Sequence, residues 1–215
     1  MSIFVIRHGE TPGNAARIVQ TPETPLSPRG IEQADRLGQR LSGREIGGIL
    51  ASDLVRAAMT AERLADAVGA PVAFDPLLQE RNFGDVRGIP YADLDVDLFA
   101  AGYAPPGGED WATFHARVGR AWAHIREASA RTRGHLAVVT HGLVCFSLVH
   151  RHFALAGGEA APVRFGNTSL TIVDAAPPWT VRRINCTSHL EDCEAGGEGD
   201  GSDGSGAPDG IPSGR

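Results

Sequence analysis

The chain has 215 residues, 42% of them hydrophobic and 21% charged, with a formal net charge of −6. That balance belongs to an ordinary globule of one domain whose core is large enough to fold without staples, and no apolar run approaches the roughly 20 residues that span a bilayer. Seven of the 26 acids and one of the 20 bases fall in residues 191–215, leaving 19 of each before them, so the body is formally neutral and offers no general nucleic-acid surface.

Residues 2–7 read as a buried strand that ends in Arg7-His8. A helix follows, with Ser27 at its N-cap, Pro28 at its first position and Gly43 as its stop. Its apolar face is Ile31, Ala34, Leu37 and Leu41. Residues 46–51 make a short strand. Asp53 is expected to cap a second helix that Gly69 closes, with Leu54, Ala57, Ala61, Leu64 and Val68 facing inward. Residues 72–74 suggest a third strand, and 75–108 are rich in loops. A long helix is expected over 109–131. A strand at 135–140 then runs into a helix over 142–155. Segments 168–174 and 179–185 alternate like a hairpin across Pro177-Pro178. Strands alternating with helices predict a three-layer α/β/α fold around a mostly parallel central sheet. Ligands in such sheets sit beyond the carboxyl ends of the strands.

The folded domain is expected to span 1–190. Residues 191–215, mostly Gly, Ser, Asp and Pro, are expected to form an acidic disordered tail. Cys145, Cys186 and Cys193 cannot all pair within the chain, and no CxxC spacing marks a zinc site. Reduced thiols, and an N-terminus unlike a signal peptide, lead to an expected cytoplasmic location without membrane partners. Oligomeric state is not legible, and a homodimer is left open.

Two strands end in His-Gly: IFVIRHG at 3–9 and HLAVVTHG at 135–142. One such histidine alone is as well read as a packing residue. Two together, with Arg7 beside them and Arg56 in a nearby helix, describe a positive pocket facing a loop. Fixed cations repel a divalent ion and no HExxH spacing occurs, so no metal and no cofactor are expected. The pocket suits a dianion, because the guanidinium fork matches phosphate oxygens. Asn14 can add a donor. A neutral imidazole there can attack phosphorus. An alkoxide leaving group then needs a proton from a carboxylic acid, and spacing alone does not choose among Glu80, Glu10 and Asp85.

VIRHGETPGN with TPLSPRG, ASDLVRAAMTA, LQERNFGDVRG and VVTHG resembles the histidine phosphatase superfamily, the phosphoglycerate mutase-like proteins, over residues 3–189. The resemblance implies that family's fold. It also implies that His8 is the phosphorylated nucleophile and that Arg7, Arg56 and His141 contact the phosphoryl group. Asn14 matches a phosphate-contacting asparagine and Glu80 the proton donor. Gln20, Thr21 and Gly142 fall at the mouth or the histidine motif. Arg81 matches a substrate-binding arginine of the mutases. Many relatives have glycine where Gln20 falls. The other histidines (His115, His124, His135, His150, His152, His189) are expected in surface or packing roles, and Trp111, Trp122 and Trp179 in the core.

The family holds hydrolases and mutases. Between Arg87 and Arg117 there is no lysine or arginine, where mutases resemble a longer insertion bearing an arginine pair. The expected activity is therefore a metal-independent, acid-type phosphatase acting on small phosphorylated metabolites. A cofactor-dependent phosphoglycerate mutase is the alternative. A phosphoprotein phosphatase or an inactive phospho-ligand binder stands further behind.

Overall fold

The computed structural model describes residues 1–155 and 164–193. Seven strands form one mixed sheet: β1 (Ser2–Arg7), β2 (Ile46–Ala51), β3 (Val72–Phe74), β4 (His135–Thr140), β5 (Ala154–Leu155), β6 (Leu170–Asp174) and β7 (Thr180–Cys186). Their order is β3-β2-β4-β1-β6-β7-β5. Neighbours from β3 to β1 run parallel, β6 runs antiparallel to β1 and β7, and β5 is parallel to β7.

The helices are α1 (Pro12–Ala15), α2 (Pro28–Leu41), α3 (Val55–Val68), α4 (Trp111–Arg131) and α5 (Gly142–His152). Successive strand side chains point to opposite faces, so a central strand covered on both faces reads as a continuous apolar run. Ile3, Val5, Leu136 and Val138 pack with Phe114, Val118 and Ile125 of α4 and Leu148 of α5. Phe4, Ile6, Ala137 and Val139 pack on the other face with Leu37 of α2 and Ala57, Ala61 and Leu64 of α3. These are the three layers. Each fully buried Leu or Ile among them contributes about 1.5–3 kcal/mol by leaving water.

Ser27 caps α2 by accepting from the Gly30 amide, and Gly69 closes α3 in the left-handed region at φ 71°. Asp53 does not cap α3. The helix starts at Val55, Ser52 Oγ accepts from the Leu54 amide at 3.3 Å, and Asp53 accepts from Gln79 Nε2 at 2.8 Å. Helix α5 stops at His152 rather than 155, because Ala154 and Leu155 pair with β7 at the sheet edge. The hairpin strands begin later than the alternation predicts, since Thr168 and Trp179 adopt positive φ (50° and 56°), which breaks extension. Residues 194–215 of the expected tail lie outside the described residues, while Ser188–Cys193 forms a 3₁₀ turn.

The loop-rich section is held by two arginines. Arg117 Nη1 donates to the carbonyls of Leu77 and Gln79, its Nη2 donates to that of Glu80, and the guanidinium pairs with Glu109. Arg81, 1% exposed, donates to the carbonyls of Glu109, Leu98 and Tyr103 and lies 4.1 Å over the Trp111 ring. Among the described residues, no helix is long and apolar enough to cross a membrane.

Candidate active site

Strands β1 and β4 pair in parallel with Arg7 opposite Thr140, so the next residue on each is a histidine. The His8 and His141 ring centroids lie 5.1 Å apart with planes at 58°. His8 is 2% exposed and His141 fully buried. The His8 amide donates to the Thr140 carbonyl at 2.9 Å, which locks the two strand ends together.

His8 Nδ1 donates to the Gly9 carbonyl at 2.7 Å. The neutral ring then carries its lone pair on Nε2, on the far side from the backbone. Burial, followed by the charges of Arg7 and Arg56, holds the His8 pKa well below the usual range. Burial and then Arg56, His8, Arg7 and Arg117 do the same to His141. Both rings are therefore neutral near pH 7. His141 Nε2 lies 2.8 Å from Ser52 Oγ, and its buried Nδ1 has no partner.

The two arginines are anchored at one corner each. Arg7 Nη1 donates to the Phe165 carbonyl, and Arg56 Nη1 donates to the Thr21 carbonyl at 3.0 Å. The Nε atoms of both are buried without a partner. Arg7 packs under the first turn of α5, where its Nε would lie 3.5 Å from a Cβ on Gly142. With His141 Nδ1, these make three orphaned buried donors beside an open imidazole. Buried polar groups are nearly always satisfied, so such a set marks an absent acceptor.

Glu80 is fixed by its own backbone surroundings. Its Oε1 accepts from the Arg81 amide at 2.9 Å and Oε2 from the Leu143 amide of α5 at 3.2 Å. Burial raises its pKa, although those two amides, Arg56 and Arg7 pull the other way. The protonated acid is thus accessible nearer neutral pH than for a surface glutamate. Thr140 Oγ1 donates to the Leu78 carbonyl at 2.7 Å, tying the loop that carries Glu80 to the strand end beside His141.

Asn14 Oδ1 accepts from Thr11 N and from Asn167 Nδ2, which leaves its NH₂ group as the available donor. Gln20 is turned to Thr11, whose hydroxyl donates to its Oε1 at 2.8 Å. Thr21 contributes its carbonyl to Arg56. Gly142 opens α5 directly after His141. Arg81 is 1% exposed, and its Nε and both Nη atoms each donate to a carbonyl, of Glu109, Leu98 and Tyr103. Glu10 is occupied elsewhere, accepting from the Ser27 hydroxyl.

Sequence reasoning assigned no role to Ser52, Thr60 or Asn167. Ser52 follows the last residue of β2, the same kind of position as His8 and His141, and that placement was the available signal. Thr60 Oγ1 accepts from the Gly9 amide at 3.1 Å. Asn167 Nδ2 bonds both the His8 carbonyl and Asn14 Oδ1. Among the described residues, no group of three or more His, Cys, Asp or Glu is placed to hold a metal ion.

Paired strand-end histidines flanked by buried, half-satisfied guanidiniums make a positive pocket suited to a dianion. A family model described as the histidine phosphatase superfamily, branch 1, matches residues 3–187, and the chain belongs to that superfamily. A probable phosphoglycerate mutase GpmB from Erwinia tasmaniensis is 32% identical over 209 residues, covering 89% of this chain and 96% of its own. A solved mycobacterial glucosyl-3-phosphoglycerate phosphatase in complex with VO3 superposes with TM-score 0.72 at 26% identity, covering 86% of this chain and 99% of the other. A putative alpha-ribazole-5'-P phosphatase from Escherichia coli K-12 gives 0.73 at 28%, with 87% and 97% covered.

Proposed function

We propose that the protein is a phosphomonoesterase that works through a phosphohistidine on His8 without a metal. The observation that carries this reading is the set of orphaned donors, Arg7 Nε, Arg56 Nε and His141 Nδ1, around an imidazole whose Nδ1 is already committed. His8 Nε2 attacks phosphorus and the P–O bond to the leaving group breaks. The guanidiniums and His141 neutralise charge on the equatorial oxygens. Glu80 gives its proton to the departing oxygen and, as a carboxylate, then takes one from the water that cleaves the phosphohistidine. The solved phosphatases among the similar structures support this chemistry.

A mutase is the second reading, favoured by the name of the Erwinia relative. Against it stands Arg81, which is 1% exposed and spends three of its five N–H donors on the carbonyls of Glu109, Leu98 and Tyr103. We assign the enzyme to the cytoplasm, where thiols such as Cys145 and Cys186 stay reduced.

The test is to mix the protein with a ³²P-labelled phosphomonoester and quench it. Acid-labile, base-stable label on His8, absent from His8→Ala along with turnover, is the expected result. Substantial phosphatase activity in His8→Ala would overturn the reading. Transfer of label to 3-phosphoglycerate in place of release as inorganic phosphate would establish the mutase.

A further inference from the structure

His189 stands outside the phosphate pocket, half-buried in the Ser188–Cys193 turn, yet both of its ring nitrogens are engaged. Arg40 Nη1 lies 3.1 Å from Nδ1. A guanidinium can only donate, so Nδ1 accepts and the neutral ring carries its proton on Nε2. Burial, followed by the charges of Arg40 and Arg36, lowers the His189 pKa to about 4, which keeps the ring neutral. Nε2 lies 3.0 Å from Thr168 Oγ1 and donates to it. The Thr168 hydroxyl in turn donates to the Asn167 carbonyl at 2.8 Å. Arg40 belongs to the last turn of α2, and its Nη2 donates to Cys186 Sγ at 3.2 Å. The guanidinium at the head of this chain fixes the direction of every bond after it.

Thr168 needs such a hold. It is fully buried with φ 50°, in the left-handed region that a β-branched residue rarely adopts. Strained backbone of this kind persists only where its surroundings over-determine it. The Thr168 amide donates to the His8 carbonyl at 3.2 Å. Asn167 Nδ2 donates to the same carbonyl at 3.1 Å and to Asn14 Oδ1 at 3.2 Å. At the other end of that peptide, the Gly9 amide donates to Thr60 Oγ1 at 3.1 Å. The His8–Gly9 peptide is thus clamped at both its oxygen and its nitrogen, and the Gly9 carbonyl just beyond it holds His8 Nδ1. A turn of this peptide would re-aim the imidazole, and a small misplacement of a reacting group is costly in rate.

We infer that His189 is a positioning residue of the active site: through Thr168 it fixes the His8–Gly9 peptide, and so the aim of the His8 ring. It touches no substrate. The inference rests on the phosphatase reading for the role of His8, but one arm of its test needs no turnover. An asparagine at 189 keeps an acceptor near the place of Nδ1 and loses the Nε2 donor, whereas a glutamine reaches as far as Nε2 and keeps a donor there. His189→Asn should lower kcat about tenfold with KM little changed, and His189→Gln should stay within about twofold of wild type, the difference being one hydrogen bond. Thr168→Val, which keeps the branched shape without the hydroxyl, should match His189→Asn, and the two together should cost no more than either alone, because both cut the same chain. Deuterium exchange at the Thr168 amide, followed by NMR, reads its bond to the His8 carbonyl directly: it should quicken in His189→Asn and not in His189→Gln. Should Thr168→Val fail to fold, the two His189 variants and the exchange still decide. Unchanged kcat in His189→Asn, equal losses in the Asn and Gln variants, an additive loss in the double variant, or Thr168 exchange unmoved by His189→Asn would overturn the assignment. The expected exchange pattern in a protein whose wild type forms no phosphohistidine would uphold the clamp and sink the phosphatase reading alone.

Discussion

His8 and His141 are adjacent because Arg7 and Thr140 are register partners in a parallel pair, and each histidine is the first residue past its strand. The 5.1 Å between ring centroids is thus a property of the sheet, set by backbone hydrogen bonds before any side chain makes its own. A constellation held this way needs little reorganisation when charge develops.

Ser52 positions the second histidine. Ser52 Oγ accepts from the Leu54 amide and lies 2.8 Å from His141 Nε2; in the proposed mechanism its hydroxyl donates to Nε2 and leaves Nδ1–H for the phosphoryl oxygen. Ser52→Ala should lower kcat about tenfold, the worth of one hydrogen bond near 1.4 kcal/mol. Ser52→Thr, keeping the hydroxyl, should restore most of it. Steady-state rates of both variants decide the matter, and equal losses would assign Ser52 to packing.

In the proposed mechanism Glu80 is protonated for the first step. Burial raises its pKa, so turnover of alkyl phosphates should hold at acid pH and fall as pH rises through that raised value. Glu80→Gln should cost alkyl phosphates about 100-fold or more and erase the basic limb of the profile. Aryl phosphates, which leave unaided, should lose far less. A pH series on one substrate of each kind reads the difference.

Acid should destabilise the fold from about pH 6.5 downward. The His8 and His141 rings resist protonation when buried but accept protons freely once unfolded, so the unfolded state binds more protons and stability falls with pH. Each ring contributes up to about 1.4 kcal/mol per pH unit until its native pKa is reached. His115 and His189, both lowered to about 4 chiefly by burial, act in the same direction. His152, lowered chiefly by burial, adds to them, and Glu80, its pKa raised, acts oppositely, as one group against five. Melting temperatures between pH 7 and 5 should fall, and the slope should be shallower in His141→Asn.

Arg81→Met should lower stability by about 3 kcal/mol or more, because three carbonyls lose a charged donor. For a chain of this size that is a melting shift of about 6 °C or more. If Arg81 served the substrate instead, KM would rise with no such shift.

Gly30→Ala should disturb the loop after β1, since a Cβ there would sit 2.0 Å from the Glu10 carbonyl oxygen. Backbone must move to admit it, at about 1–3 kcal/mol. The cost should appear both as a lower melting temperature and as a lower kcat, because the moved segment carries His8.

Local pattern locates every strand but β5, which it reads as the end of α5, and it misses the short α1. Ile3–Ile6 and Leu136–Val139 are apolar at every position because both faces of β1 and β4 are covered, and Ser27 and Gly69 mark their helix termini through local hydrogen bonding and φ. The residue types of the pocket were legible for the same reason: a histidine and an arginine at the end of a buried run have few bland explanations when the pattern recurs. What remained for the tertiary structure was every decision made between distant segments. The register that joins β1 to β4, the hydroxyl that Ser52 lends to His141, and the diversion of Arg81 to the Glu109, Leu98 and Tyr103 carbonyls all depend on partners from other parts of the chain. A guanidinium binds whichever acceptors the fold sets within its reach, and that geometry is written in no local pattern.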